Sequence, residues 1–517
     1  MKTYNKILKN PAYLLMVGVV FSMILGCKDF LDTTKQGEYT SDNYPYPGGS
    51  GPYDEYLFGA YNDLRSYDMH CRGFFLATSV RSDDADKGSS PTDGGADALT
   101  MDNFPVAPNN GAINELWKGH FAIIIKCNIA LDQIANNTGI TASEDQKLLA
   151  QAEARCLRGY AYFNLVRFFG RVPLIDKVLS ADQPNTAQVG PDQLYPFIEN
   201  DLQFAAANLP VNWDRKFVGR LTKGVANGLL AKVYLTQQKW GAAMSAANMV
   251  MTSGQYDLSM SYSSIFGESG ENGKESVFEV QATASAAVPT ANGAEITQWQ
   301  GVRGPGDWNL GYGFNVPNNN LSNAYEPNDP RKARTFLYRS DANNTYKTVY
   351  GENTGTTWEN PIYNHKVYTN PTYRALYNNR AGRWMNIRLL RYADVVLMYA
   401  EAANEVGGTG NTTEALKALN SVRARARIGA PAGTLPDITT TDQGVLREAI
   451  RHERRIELAM EYDRFFDLVR WGISGSVLPA AGRPNFVAAR DNLLPIPQAQ
   501  IDLSKEPYKL TQNPLYN

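Results

Sequence analysis

Arg81, Asp83, Asp84, Asp86 and Lys87 fall within seven consecutive residues, followed at once by Gly, Ser and Pro. A guanidinium and several carboxylates on one loop can make paired hydrogen bonds to adjacent hydroxyls, which suits a hydroxyl-rich ligand. The same acids suit Ca²⁺, a hard cation that takes about six to eight oxygens. The spacing is not that of an EF-hand, and no CxxC or Cys/His cluster points to another ion, so no metal and no cofactor is expected. A second group is aromatic. Trp299, Trp308, Tyr312 and Trp358 sit among Gly, Asn and Asp. A sugar presents axial C–H groups to an indole face while its edge hydroxyls meet polar neighbours. The expected ligand set is therefore Arg81, Asp83 and Asp84 for orientation, with Trp299, Trp308, Tyr312 and Trp358 for stacking. The competing readings are a solvated acidic loop, and tryptophans that plug a small satellite core.

Catalytic patterns are missing. The four histidines, His70, His120, His365 and His452, form no HExxH or HxH pair, and there is neither a GxSxG elbow nor a phosphate-binding loop. A surface glycosidase would need two carboxylates about 5–9.5 Å apart across a cleft, a separation that only a structure supplies. A binding protein, not an enzyme, is expected. Net charge is −2 without a long basic run, which argues against nucleic acid as a partner. Of four cysteines, Cys127 and Cys156 lie in apolar helical patterns and read as buried, while Cys71 is the best candidate for a free thiol.

These residues need a scaffold, and the sequence predicts helices in pairs. From Leu149, small or apolar residues recur at Ala152, Cys156, Gly159, Phe163 and Val166, one stripe of a long helix. Further helices are predicted over 193–209, 222–237 and 240–253, then over 391–405 and 414–427, with Gly407-Gly408 as a break. Alanine at the contacts makes the pairs similar to tetratricopeptide repeats, with an irregular period that excludes a uniform solenoid. Residues 259–385 form a Gly-, Asn-, Pro- and Thr-rich insertion that holds four of the eight tryptophans. Between Glu448 and Trp471, acids and arginines alternate at three- and four-residue spacings, the pattern of a partly buried ion network. The predicted fold is mostly α, a helical platform carrying a large irregular, loop-rich insertion.

The N-terminus bears on compartment. Lys2, Lys6 and Lys9 precede an uncharged apolar run from Tyr13 to Leu25, and Ile24-Leu25-Gly26-Cys27 closes it. The run is too short to span a bilayer and resembles an export signal ending in a bacterial lipobox. That resemblance implies cleavage after residue 26 and lipidation of Cys27.

The ordered set of local stretches resembles the SusD/RagB family of outer-membrane lipoproteins. It comprises Cys27-Lys28-Asp29-Phe30-Leu31-Asp32, Glu153 to Leu165, Phe169-Gly170-Arg171-Val172-Pro173-Leu174, Arg391-Tyr392-Ala393-Asp394 with Ala400-Glu401-Ala402, Glu453 to Trp471, Leu494-Pro495-Ile496-Pro497, and Gln512-Asn513-Pro514. The resemblance implies a SusD-like α/α superhelix. Its divisions would be a signal (1–26), a lipidated tether (27–52), an N-terminal helical region (53–258) and a C-terminal region (259–517). The last would comprise the ligand-bearing insertion (259–385) and helical repeats (386–517). It also implies a protein anchored through lipid on the cell surface of a Gram-negative bacterium. Such a protein captures a glycan and passes it to a SusC-like TonB-dependent transporter. Peptide or another non-sugar nutrient is the alternative cargo for the same architecture.

Overall fold

The computed structural model describes residues 49–180, 182, 186–287 and 292–516. The expected signal, Cys27 and most of the tether lie outside them. Of the tether, residues 49–52 are described, and they are packed: Ser50 is fully buried and donates from Oγ to Glu153 Oε1 at 2.6 Å.

The helices follow local signals. Helix α1 is Asp54–Leu64 and α2 is Gly111–Asn136. Helix α3, Glu144–Phe169, starts five residues before the apolar stripe because Ser143 and Gln146 form a reciprocal capping box. Then come α4 (Pro191–Asn208), α5 (Lys223–Thr236, capped by Thr222) and α6 (Trp240–Met251). After the insertion the chain resumes with α7 (Tyr392–Val406), α8 (Thr409–Ala426), α9 (Gln443–Glu457) and α10 (Arg464–Arg470). Gly407 and Gly408 take φ of 74° and 85°, a left-handed pair that reverses the chain between α7 and α8. Helix α2 is not among those predicted individually, and the predicted charged run 448–471 is two helices, α9 and α10, broken at 458–463.

From α2 to α6 each helix packs on the next, and α6 packs directly on α7. The insertion therefore leaves and re-enters a continuous helical stack. Strand β4 (Ser276–Val280) pairs antiparallel with β8 (Ile387–Arg391) where the insertion joins that stack. Other ladders among the described residues are equally small: β1 (Ala85–Gly88) with β5 (Phe314–Pro317), β2 (Val172–Pro173) with β3 (Gln188–Val189), and β6 (Phe336–Tyr338) with β7 (Ile362–Asn364). The fold is mostly helical, as predicted.

Buried ions link the helices. Arg158 of α3 grips Asp201 of α4 through two hydrogen bonds of 2.8 and 2.9 Å and reaches Asn128 of α2 at 2.7 Å. Arg454 of α9 donates to Asp467 of α10 (2.9 Å) and Asp394 of α7 (2.5 Å), and Asp394 also meets Lys232 of α5 at 2.8 Å. Burial would raise the Asp394 carboxyl, but Arg454 and Lys232 hold it well below the usual range. The alternating charges of 448–471 are thus structural. Cys71, Cys127 and Cys156 are free and buried.

Three histidines are buried and neutral. His70 Nδ1 donates to Leu64 O (2.5 Å) while Nε2 accepts from Tyr160 (2.7 Å); His365 uses Nδ1 on Ala333 O and accepts from Val349 N. His120 Nδ1 bonds Leu116 O. Burial lowers the three imidazoles to about 4 (His70) and about 3 (His120, His365). The unfolded chain protonates them near pH 6.5, the folded chain only well below. Their stabilisation is therefore present above pH 6.5 and lost as pH falls toward 4. Each histidine loses about 2–3 kcal/mol by pH 4.5. Urea midpoints measured between pH 7 and 4.5 should fall steadily; a flat profile over that window contradicts the buried neutral assignment.

Candidate functional site

Trp299 is the centre of an aromatic patch built from two distant parts of the chain. Phe75 and Phe314 lie 6.1 and 5.1 Å from it, centroid to centroid, and both are buried. Tyr312 meets it edge-on at 5.2 Å, and Tyr67 lies at 6.1 Å. Trp299 and Tyr67 are half-buried and Tyr312 is 41% exposed. The Trp299 Nε1–H is turned inward, buried and without a partner among the described residues, so the ring offers its carbon surface and not its N–H to the outside.

Polar groups fix these rings. Gln298 donates to the Tyr312 hydroxyl (3.1 Å) and accepts from Arg383 Nε (2.8 Å), and Arg383 pairs with Glu295 at 2.9 Å. Ser89 Oγ donates to the Tyr312 carbonyl (2.6 Å) and accepts from Arg303 (3.0 Å), which also pairs with Asp93. Near Tyr67, Arg72 bridges Glu115 (3.2 Å) and Asp97 (3.4 Å). Burial and the Glu115 charge push the Tyr67 phenol well above its ordinary range, so it stays a neutral donor. The result is a rigid apolar face edged by hydroxyls, amides and paired charges.

The short helix Tyr67–His70 that carries Tyr67 rests on α2 at Gly119, where a β-carbon would run into the Asp68 carbonyl. Gly119→Ala should therefore displace this helix, costing about 1–3 kcal/mol of stability and weakening any ligand held by Tyr67. Thermal melts and binding titrations on one variant check both; unchanged values in both contradict the packing.

The acidic loop lies beneath the surface. Arg81, Asp83 and Asp84 are 1, 3 and 2% exposed. The Arg81 guanidinium sits 4.1 Å from the Phe465 ring centroid and donates to the Asp491 carbonyl. Arg464 grips Asp83 through two bonds (2.8 and 2.9 Å), and Arg455 bonds Asp84 at 2.8 Å. Burial raises the Asp84 carboxyl; it would raise Asp83 too, but Arg464 and Arg455 bring that one below the usual range. These side chains present no free edge to a ligand, which corrects the expected contact role, and their carboxylates are neutralised by arginine rather than arranged around a cation. Among the described residues no group of His, Cys, Asp and Glu is placed to hold a metal ion. The loop instead anchors β1, whose Gly88 pairs with Phe314 of β5 and so seats Tyr312.

Trp358 is also a correction: it is 2% exposed and belongs to a satellite core with Val302, Leu310, Leu337, Tyr363 and Tyr368. Trp308 caps that core, half-buried, 4.7 Å from Trp358. The structure thus brings Trp299 to Tyr312 and, separately, Trp308 to Trp358. Tyr67, Gln298 and Arg383 complete the first group without having been singled out in the sequence. Tyr67 follows a loop serine in a charged turn, an ordinary surface pattern.

The chain matches the SusD family model over residues 252–516, and a second model, described as starch-binding associating with outer membrane, over residues 61–235. The chain belongs to the SusD family. SusD-like protein P2 of Formosa agariphila is 29% identical over 462 residues, 86% of this chain and 88% of that protein. A laminarin-binding SusD-like protein of known structure superposes with a TM-score of 0.75 at 26% identity, over 90% of this chain and 99% of that one. Surface glycan-binding protein A from Bacteroides thetaiotaomicron, solved with laminarihexaose, gives 0.74 at 25% identity, over 89% and 98%. The family match carries association with the outer membrane. No helix among the described residues is long and apolar enough to cross a membrane.

Proposed function

We propose that this SusD-family protein captures a glycan on the Tyr67–Trp299–Tyr312 patch at the cell surface and passes it to a SusC-like TonB-dependent transporter. The observation that carries the reading is a half-buried tryptophan ring, flanked by two tyrosines that reach the surface and fixed from below by buried phenylalanines. Pre-set rings lose little entropy on binding, and stacking tolerates the hydroxyl-rich faces of sugars. The laminarin and laminarihexaose ligands of two structural relatives support a glycan over a peptide. The acids around the patch, Asp93, Asp97, Glu115 and Glu295, each pair with an arginine, which supports orientation of a ligand rather than hydrolysis. Trp308, at the edge of the satellite core, is proposed as an outlying contact.

Affinity electrophoresis against plant, host and microbial polysaccharides tests the reading. Retardation by at least one polysaccharide is expected; free migration in all of them, with a peptide library retained instead, overturns it. Anchoring through a lipid on Cys27 belongs to the same proposal. Cys27→Ala should move the protein from the membrane fraction to the soluble fraction, and unchanged membrane association contradicts a lipid anchor.

A further inference from the structure

The connection between α4 and α5, with the chain entering and leaving β4, encloses a hollow of about 670 Å³ that shares no residue with the aromatic patch. That volume lies within the ~300–1,000 Å³ usual for small-ligand sites. Part of its lining is aromatic. Trp213 donates from Nε1 to the Leu221 carbonyl (2.7 Å), the Arg220 guanidinium lies 4.6 Å from its ring centroid, and Phe217 meets it edge-on at 5.7 Å. The indole is thereby locked in place yet remains half-exposed.

The rest of the lining is polar and partly unspent. The amides of Asn272 and Gln281 bond each other in both directions at 3.0 Å. Gln281 also donates to the Glu279 carbonyl and accepts from Asn386, which uses it up, while Asn272 keeps one N–H and one lone pair. Glu271 accepts the Asn386 backbone N–H on one oxygen (2.7 Å), and its second oxygen has no partner among the described residues. Burial pushes the Glu271 carboxyl up to about 7 despite the pull of Arg388, so near neutral pH it can both donate to and accept from a hydroxyl. Asp214, Arg215 and Lys274 line the same hollow with charges of both signs, which favours no net ionic ligand.

We propose that this hollow is a second, independent sugar site that takes a neutral mono- or disaccharide, stacked on Trp213 and hydrogen-bonded by Asn272 and Glu271. A fixed indole beside unspent amide and carboxyl groups is the combination that recognises a C–H face with hydroxyls at its edge. Nothing in this assignment depends on the Trp299 patch.

The test labels the full chain with 5-fluorotryptophan and follows the fluorine resonance of Trp213, assigned through Trp213→Phe. Glucose, galactose, mannose and cellobiose are the probes, taken to about 100 mM, above the mM range of weak single-site binders. The expected result is a saturable shift of the Trp213 resonance with at least one sugar. It should persist in a Trp299→Ala/Tyr312→Ala variant and weaken about tenfold in Asn272→Gly, a residue type that accepts the positive φ of 53° at this position. Glu271→Gln, of the same shape, should weaken it as well. A Trp213 resonance that none of the four sugars moves in the unaltered chain overturns the proposal. So does a shift that vanishes with the Trp299 patch, since Trp213 would then report that patch and not a site of its own. Shifts unchanged in both Asn272→Gly and Glu271→Gln also overturn it.

Discussion

Glu457→Gln should lower the unfolding free energy by about 3–5 kcal/mol, the range for breaking a buried ion pair from one side. Glu457 is fully buried on α9; its carboxylate accepts from Arg425 (2.6 Å) and Arg331 (3.2 Å) and pairs with Arg391 at 3.0 Å. Those arginines come from three places: α8, the end of β8 and the insertion. Burial alone would raise the Glu457 carboxyl, yet Arg425, Arg391, Arg331 and Lys366 hold it far below its ordinary range. The amide keeps the shape and removes the charge, leaving buried guanidiniums short of an anion. Asp437→Asn is the control: Arg427 and Asp437 are 33 and 53% exposed, and such a pair contributes about 0–1 kcal/mol. Urea unfolding of the two variants measures the contrast. Similar small losses in both would mean that the network does not join the insertion to the helical stack.

Trp299→Ala should weaken glycan binding about 30-fold, roughly 2 kcal/mol, while leaving the melting temperature within a few degrees of the parent. The ring is half-buried, so the truncation also removes packing on Phe75 and Phe314. Tyr312→Phe should cost less, since only the hydroxyl that accepts from Gln298 is lost. Trp358→Ala should reverse the pattern. Its ring fills the satellite core, and deleting a buried aromatic costs about 3–5 kcal/mol of stability. Calorimetric titration beside thermal melts separates the cases. A Trp358 variant that folds normally but loses binding would move the ligand to the Trp308 side of the insertion.

The helical scaffold was legible in the sequence because its signals are local. Stripes at three- and four-residue spacing, Thr222 as a cap and Gly407-Gly408 as a break mark α3 to α8 to within a few residues, apart from the starts of α3 and α8. The ion network was legible for the same reason, as charges alternating at helical spacing along 448–471. The site was only half legible. Trp299 and Tyr312 stood out by residue type, but whether a loop tryptophan is covered depends on which glycines lie flat against it. Gly304 and Gly355 lie against Trp358 and Trp308, which is why that pair forms a core. Arg81, Asp83 and Asp84 look ligand-facing in sequence because their partners, Phe465 and Asp491 for the arginine and Arg455 and Arg464 for the acids, are more than 370 residues away. Tyr67 meets Trp299 only because the insertion folds back over the N-terminal helices, a contact with no local trace.

The most direct test is a crystal structure of the protein with a fragment of whichever polysaccharide retards it in affinity gels. Ordered sugar rings against Trp299 and Tyr312 are the predicted result. Ordered sugar with none of it on those two rings, in a protein whose patch is otherwise unchanged, would contradict the assignment of glycan capture to this surface.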